Sequence, residues 1–475
     1  MPHTYSRPLD VHRWSDYPEL NDCLTDLVQQ IDALKPRQRA RKVESAKRLR
    51  NAVRSLVLDL YVAWKTDPQL EVGVPLSNRA FVQGSRYRAL FLKYKGFVTA
   101  YHGLHELGYI EEVRPGFNDT RTGKSFVTRA RATPKLIETL SDNALLRLTK
   151  IHRGSGEYAA ETIILRDHDK HNIDYDDTNE TNQMRNDLSR INALLDGTWI
   201  DLYITDNEYE ALSKRIRDKV HLEDQSLIGL DLTRRQLVRI FNNSDWQQGG
   251  RFYGGWWQNI PRGYRKYITL DGKHTCEIDF SGMHVALLYA EVGAELDGDA
   301  YDVGCPQVPR QVTKLAFQKL INAENRMYPE PGFTEGKYGI TWGDLLEKIR
   351  TRHAPISSYL RTGYGRQLQN KDAEIANRIL LLMADMGIPC LPVHDSFIAH
   401  QDMREELTGI MIQEFARKTG QKAATKNKLT FLDSYSADMN TNHGTYLDMD
   451  IGNILDSDNH YYEYQTRQIA WFDQG

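Results

Sequence analysis

Two aspartates sit where a chain can hold a carboxylate rigidly. In LPVHDSFIAH (391–400) an apolar run enters a His-Asp pair and resumes after one serine. Leu391, Val393, Phe397 and Ile398 suit a strand–turn–strand element, with Asp395 at the tip of its turn. In CEIDFSGMHVALLYAEVG (276–293) a short strand runs through Asp279 into an apolar stretch that reads as a helix from near Gly282. An unpaired carboxylate at the interior sheds its charge. Two carboxylates side by side at a cleft instead form a site for hard divalent cations, whose charge keeps both ionised. Two Mg²⁺ (or Mn²⁺) ions held there would serve phosphoryl transfer, activating a hydroxyl and neutralising the leaving phosphates. A third segment, VPRQVTKLAFQKLINA (308–323), reads as a helix with Pro309 near its start. Its Arg310 and Lys314 are one turn apart, on one face, and suit the phosphates of a nucleotide. Each feature alone has an ordinary explanation: a turn-forming or capping aspartate, or a solvated basic face.

The rest of the chain bounds what these residues serve. Its 475 residues suffice for two or three domains, and 40% hydrophobic with 26% charged residues is the composition of a globular protein. A formal charge of -3 excludes a polycation but not a local basic groove. The four cysteines, Cys23, Cys276, Cys305 and Cys390, form no CxxC pair, so neither a zinc knuckle nor a disulfide framework is expected. With no long apolar run, the expectation is a soluble cytoplasmic protein without a membrane partner.

Basic residues crowd 35–54, including Arg39 and Arg48, which reads as a solvated helix face or a phosphate-contacting helix. From 77 to 132 the pattern is a helix around Arg86 to Tyr94, a second near Gly96 to Leu107, a strand, a turn-rich loop and a returning strand. That order resembles a winged helix; the resemblance implies a nucleic-acid contact with Arg114, Arg121 and Lys124 on the wing, although protein–protein modules share the pattern. Residues 140–240 look mostly helical, with Met184, Leu188, Ile191 and Leu195 as a core stripe. The acidic, aromatic segment from 431 reads as an extension docked on the body.

The three chemistry-bearing segments, in this order, resemble the palm and fingers of family A DNA polymerases and phage-type single-subunit RNA polymerases. EIDFSGMHVALLYA is similar to the first palm motif, RQVTK to the start of the fingers helix, and VHDSF to the second palm motif. The resemblance implies Asp279 and Asp395 as metal ligands, Arg310 and Lys314 on the triphosphate, and His394 near the primer terminus. LQNKDAEIANRIL (368–380) is similar to the segment preceding that hairpin, which implies Gln369 near the template–primer groove. GGRFYGGWWQNIP (249–261) resembles a stretch upstream of the palm in the RNA polymerases, with Arg251 and Tyr253 near the site. The likeness covers roughly residues 230–420. The chain departs from it in three ways. Asn322 stands about where a tyrosine is usual, the fingers are short, and His284 follows the first aspartate where DNA polymerases carry Glu and RNA polymerases Gly. Ser396 and GGRFY lean slightly toward ribonucleotides.

The expected fold class is α+β, mainly helical, with an N-terminal winged-helix-like domain before a polymerase palm with reduced fingers. The expected division is a basic helical region (1–70), a winged-helix-like domain (71–140), a helical thumb-like or linker region (141–230), the palm with short fingers (231–430) and the acidic extension (431–475). The expected function is a metal-dependent nucleotidyltransferase using nucleic acid, nucleoside triphosphates and, where the fingers are incomplete, an accessory protein. The alternative is a nucleic-acid-binding regulator or replication-initiation factor with a vestigial palm.

Overall fold

A computed structural model describes residues 5–36, 38–81, 85–119, 121–122, 124–220, 230–324, 327–428, 430–431 and 462–469. Among them the chain builds two separate hydrophobic cores, one drawn from Leu20 to Ile151 and the other from Ile163 to Phe415.

The first core is assembled from β1 (Ser6–Pro8), α1 (Pro18–Leu34), α2 (Val43–Thr66), β2 (Glu71–Val74), α3 (Tyr94–Glu106), β3 (Ile110–Arg114), a ribbon of β4 (Phe117–Asp119) and β5 (Lys124–Phe126), and β6 (Thr128–Ala132). The strands form a sheet in the order β1-β2-β6-β3, with β1 parallel to β2 and the rest antiparallel. Helix α2 is buried without a break from Asn51 to Ala63, which makes it the axle of this unit. A helix buried all round must pair the polar groups it carries inside. Arg54 stacks on the Trp14 ring at 3.8 Å, and Asp59 receives Arg7 (2.7 Å) and Arg13 (2.6 Å).

The second core is built on a six-stranded sheet. Its elements are β7 (Ile163–Leu165), α4 (Asn179–Gly197), β8 (Ile200–Leu202), β9 (Val238–Asn242), β10 (Asp245–Tyr253), β11 (Ile268–Leu270), β12 (Lys273–Phe280), α5 (Met283–Glu291), α6 (Arg310–Asn322), α7 (Gly365–Asp385), β13 (Leu391–Val393), β14 (Ser396–His400), α8 (Arg404–Thr419) and β15 (Thr425–Asn427). The sheet runs β8-β11-β12-β14-β13, and β15 adds antiparallel to the far end of β12. Residues 396–399 of β14 are all buried, so both faces of this sheet are covered. A smaller sheet, β10-β9-β7, lies under α7, which packs along β10. Leu368, Ile375, Ile379 and Met383 of α7 form its buried stripe.

Polar groups join the two cores. Arg13 reaches across to Asp231 and Thr233, and Arg86 meets Asp177 (2.8 Å), Glu161 (3.3 Å) and the Tyr175 ring (3.6 Å). Helical residues 462–469 also rest on the second core. Tyr464 donates to Thr269 (2.8 Å), and Arg467 pairs with Asp201 (3.0 Å) and Asp206 (2.7 Å).

Several expectations need correction. The architecture is mixed α+β, about half helical, rather than mainly helical. The helix expected at Arg86 to Tyr94 is absent: residues 85–93 make turns, because Arg86 and Tyr87 are tied to the second unit through Asp177 and the Ile173 carbonyl. Between β2 and β3 the chain makes a short 3-10 helix (Asn78–Phe81) and one α-helix, α3, so a single 3-10 turn stands in place of the first of the two helices expected there. The basic run 35–54 is not one helix, since α1 ends at Leu34 and α2 begins at Val43. The described residues of 140–240 are only partly helical, with α-helix in 179–197 and 206–220, short turns of 3-10 or π helix before them, and short strands between. Leu188, Ile191 and Leu195 are buried, with Met184 packed against the same core. The four cysteines are free thiols, and among the described residues no helix is long and apolar enough to cross a membrane.

Candidate active site

The sheet register brings the two aspartates together. Asp279, one residue before the end of β12, stands opposite Ser396, the first residue of β14. Asp395 occupies the two-residue turn just before it, and the Phe280 amide donates to the Asp395 carbonyl at 3.2 Å. Both carboxylates are half-buried. Burial first, and then the charge of Asp395, push the Asp279 carboxyl above its ordinary range. The turn is also strained: His394 has φ 59°, left-handed backbone at the position where two-residue hairpins favour glycine. A β-to-α reversal with left-handed Gly282 (φ 69°) starts α5 immediately beyond Asp279.

Counter-charges surround this pair. Glu277, two residues before Asp279, accepts from Ser396 Oγ (2.7 Å) and pairs with Lys428 (2.5 Å) and Arg265 (3.3 Å). Lys428 also stands 3.3 Å from Asp279. On the opposite side, β10, α5 and α7 meet in a second cluster. Asp372, with a side chain only 2% exposed, accepts two hydrogen bonds from Arg251 Nε (3.0 and 3.1 Å) and one from His284 Nε2 (2.9 Å). The guanidinium of Arg251 is desolvated, but Asp372 and then Asp395 more than offset this and raise its pKa. Tyr253, two residues along β10, meets the His394 ring edge-on at 6.4 Å. Burial, followed by Arg251, holds the His394 imidazole below its ordinary value.

Other candidates lie around this centre. Gln369 is half-buried on α7, one turn before Asp372. Arg310 opens α6 beside a cleft of about 670 Å³ that also takes in Ser281, Gly282 and Lys422, and so adjoins the Asp279 end of β12. Arg310 is held there by Asp299 (2.6 and 2.8 Å) and covers the Tyr301 ring at 4.8 Å. Lys314, half-buried one turn on, has no ion pair among the described residues. Asn322 is not brought to this group. It is at the other end of α6, about 18 Å along the axis from Arg310, bonded to the Gln318 carbonyl (2.8 Å) and set against Gly365.

The basic residues of the first unit are scattered. Arg39 is exposed between α1 and α2, and Arg48 is exposed on α2. Arg114 is packed on the Phe126 ring (4.1 Å), and Arg121 is exposed at the ribbon turn. Lys124 begins β5, and its side chain lies outside the described residues. Their neighbours in the basic run, Arg50 and Arg54, turn inward to Asn21 and Trp14. Elsewhere Asp167, Asp169 and His171 cluster on an exposed turn after β7.

Sequence reasoning missed Glu277, Arg265, Lys428 and Asp372. Glu277 shares a strand face with Asp279 at spacing two, and Asp372 shares a helix face with Gln369 at spacing three, so both periodicities were readable. Lys428 and Arg265 arrive only through tertiary pairing. Asp372→Asn is expected to destabilise the fold by about 3–5 kcal/mol, because it leaves the largely buried Arg251 guanidinium without its carboxylate. Asp372→Glu should restore part of it; urea unfolding midpoints would check both.

No family model matches the chain, and no curated protein does. Among solved structures, the chain is similar to the POL domain of Pol1 from M. smegmatis in complex with DNA primer-template and dNTP. Identity is 12% and the TM-score 0.30, over 88% of this chain and 74% of that one. A likeness of that size carries no argument here.

Proposed function

We propose that this chain is a metal-dependent nucleotidyltransferase of the single-subunit polymerase type, extending a nucleic-acid 3′ end with nucleoside triphosphates. The observation that carries it is the Asp279–Asp395 pair, two carboxylates brought close enough to repel each other by one antiparallel register, beside a cleft that Arg310 and Lys422 line. The donor set fits hard divalent cations: it is all oxygen, and Asp279 resists ionisation beside Asp395, the condition that a bound cation relieves. Asp279 and Asp395 would hold Mg²⁺ or Mn²⁺, and bound ions would supply charge neutralisation and an activated hydroxyl. Arg310 and Lys314 hold the phosphates of the incoming nucleotide, with Arg310 exchanging its Asp299 partner for them. Arg251 and His284, fixed by Asp372, line the nucleotide or primer side, with Tyr253, His394 and Gln369 near the same edge. The reading keeps the slight preference for ribonucleotides drawn from GGRFY and Ser396.

One observation favours a second reading, a nucleic-acid-binding factor with a vestigial palm. Lys428 stands 3.3 Å from Asp279 and pairs with Glu277, where its ammonium neutralises part of the charge that a metal ion would. Incorporation of labelled NTPs and dNTPs on primed and single-stranded templates, with Mg²⁺ or Mn²⁺, separates the two. The enzyme reading expects extension that falls at least tenfold in Lys314→Ala. No incorporation under any of these conditions, with nucleic-acid binding retained, sinks it.

A further inference from the structure

The aspartate pair already has a cation of the chain's own beside it. Lys428 directly follows β15, which pairs antiparallel with β12 so that Lys426 stands opposite Asp279 and Asn427 opposite Ile278. The Lys428 amide donates to the Glu277 carbonyl at 2.9 Å, which carries the pairing one residue further. Three residues on, Phe431 stacks on the His274 ring of β12 with centroids 4.7 Å apart. Backbone pairing on one side and ring packing on the other therefore fix where this lysine stands. Its side chain is 14% exposed, and its ammonium meets Glu277 Oε1 (2.5 Å) and Asp279 Oδ2 (3.3 Å).

A two-ion site for phosphoryl transfer sets its cations about 3.5–4 Å apart and needs carboxylate oxygens for both. The carboxylates that this strand pair and its turn offer are Asp279, Asp395 and Glu277. Glu277 is engaged by Lys428, by Ser396 Oγ (2.7 Å) and by Arg265 (3.3 Å). Asp279 gives one oxygen to Lys428. Its other oxygen and Asp395 remain, which is the protein share of one Mg²⁺ site, since that ion keeps several waters and takes substrate phosphates for the rest. Charge leads to the same number. Three carboxylates against Lys428 and Arg265 leave one negative charge, which a single divalent ion already reverses. A second divalent ion on the Lys428 side would stand at contact range of an ammonium that the fold holds in place.

We propose that Lys428 stands in for one of two divalent ions, so that Asp279 and Asp395 bind a single Mg²⁺ or Mn²⁺ beside a fixed ammonium. The inference rests on the nucleotidyltransferase reading for what that ion does, and it replaces the two ions expected from the sequence with one. The ammonium supplies part of the positive charge that the second ion would bring. Removing it frees Glu277 and one Asp279 oxygen together, and these are the donors a second ion needs.

Mn²⁺ titration of the full chain, with free Mn²⁺ read from its electron paramagnetic resonance signal, counts the ions. The Asp279→Asn/Asp395→Asn protein gives the background, which subtracts Mn²⁺ held by surface groups such as Asp169 and His171. The expected difference is one ion per chain for the wild type and two for Lys428→Met. Two ions in the wild type would overturn the inference, as would a single ion in a Lys428→Met protein with the circular dichroism of the wild type; either result leaves the enzyme reading standing. Absence of any aspartate-dependent ion from both proteins would overturn the inference and the metal-dependent reading together. The wild-type count needs no variant at Lys428, so a misfolded Lys428→Met leaves the test in force.

Discussion

Asp279→Asn is expected to abolish metal-dependent incorporation while raising the unfolding temperature of the metal-free protein. Both effects have one cause. Burial and the neighbouring Asp395 make the ionised Asp279 unfavourable in the fold, and an amide of the same shape removes that repulsion. Divalent ions remove it too, but by binding. Wild-type protein should therefore gain stability from Mg²⁺ or Mn²⁺, as any ligand that binds only the native state confers, and the variant should gain much less. Loss of activity is expected on the order of 10³-fold or more, because several kcal/mol of transition-state charge stabilisation go with the ions. Thermal unfolding with EDTA or Mg²⁺, beside the incorporation assay, reads both. If Lys428 alone balances the site, added metal will shift neither protein, and the vestigial-palm reading gains.

Arg13→Ala should cost about 3–5 kcal/mol of stability at neutral pH, because it strands Asp231 out of water and leaves Asp59 with Arg7 as its remaining ion pair. Arg13 is 4% exposed and joins Asp59, fully buried in the first core, to Asp231 of the second. Burial pushes Asp231 up, but Arg13 and then Arg7 outweigh it and hold the carboxyl down at about 2. A depressed carboxylate stabilises the fold above its unfolded value, and that contribution is lost as pH falls through about 2. With Arg13 gone, burial dominates and the sign reverses: ionised Asp231 opposes folding at neutral pH, and acid relieves it. The deficit of the variant should thus be largest near neutrality and shrink on acidification. Urea unfolding midpoints measured across pH would show it; a deficit that does not change with pH would exclude Asp231 as its source.

Much of the local structure around the site was legible because it is encoded at short range. The apolar pattern around His394 and Asp395 specifies a hairpin, Gly282 supplies the left-handed residue between β12 and α5, and Pro309 precedes α6. Those signals depend on backbone preference and hydrophobic period, which act within a few residues. The segment 85–93 misled for the converse reason. Its helical pattern yields to hydrogen bonds that Arg86 and Tyr87 make with residues 173–177, far along the chain. The basic run 35–54 misled because charge alone does not say which side chains face outward, and Arg54 faces inward to Trp14.

By itself the sequence determined that two acidic segments and one basic helix exist, with the spacing that suits phosphate chemistry. Only the tertiary structure decided that Asp279 and Asp395 adjoin, through the pairing of β12 with β14 across more than a hundred residues of chain. It also decided that Asp372 grips Arg251 and His284, that Lys428 is shared by Glu277 and Asp279, and that Asn322 lies away from Arg310. Side-chain electrostatics reach over a few ångströms, and which groups come that close is set by sheet register and helix packing rather than by local pattern.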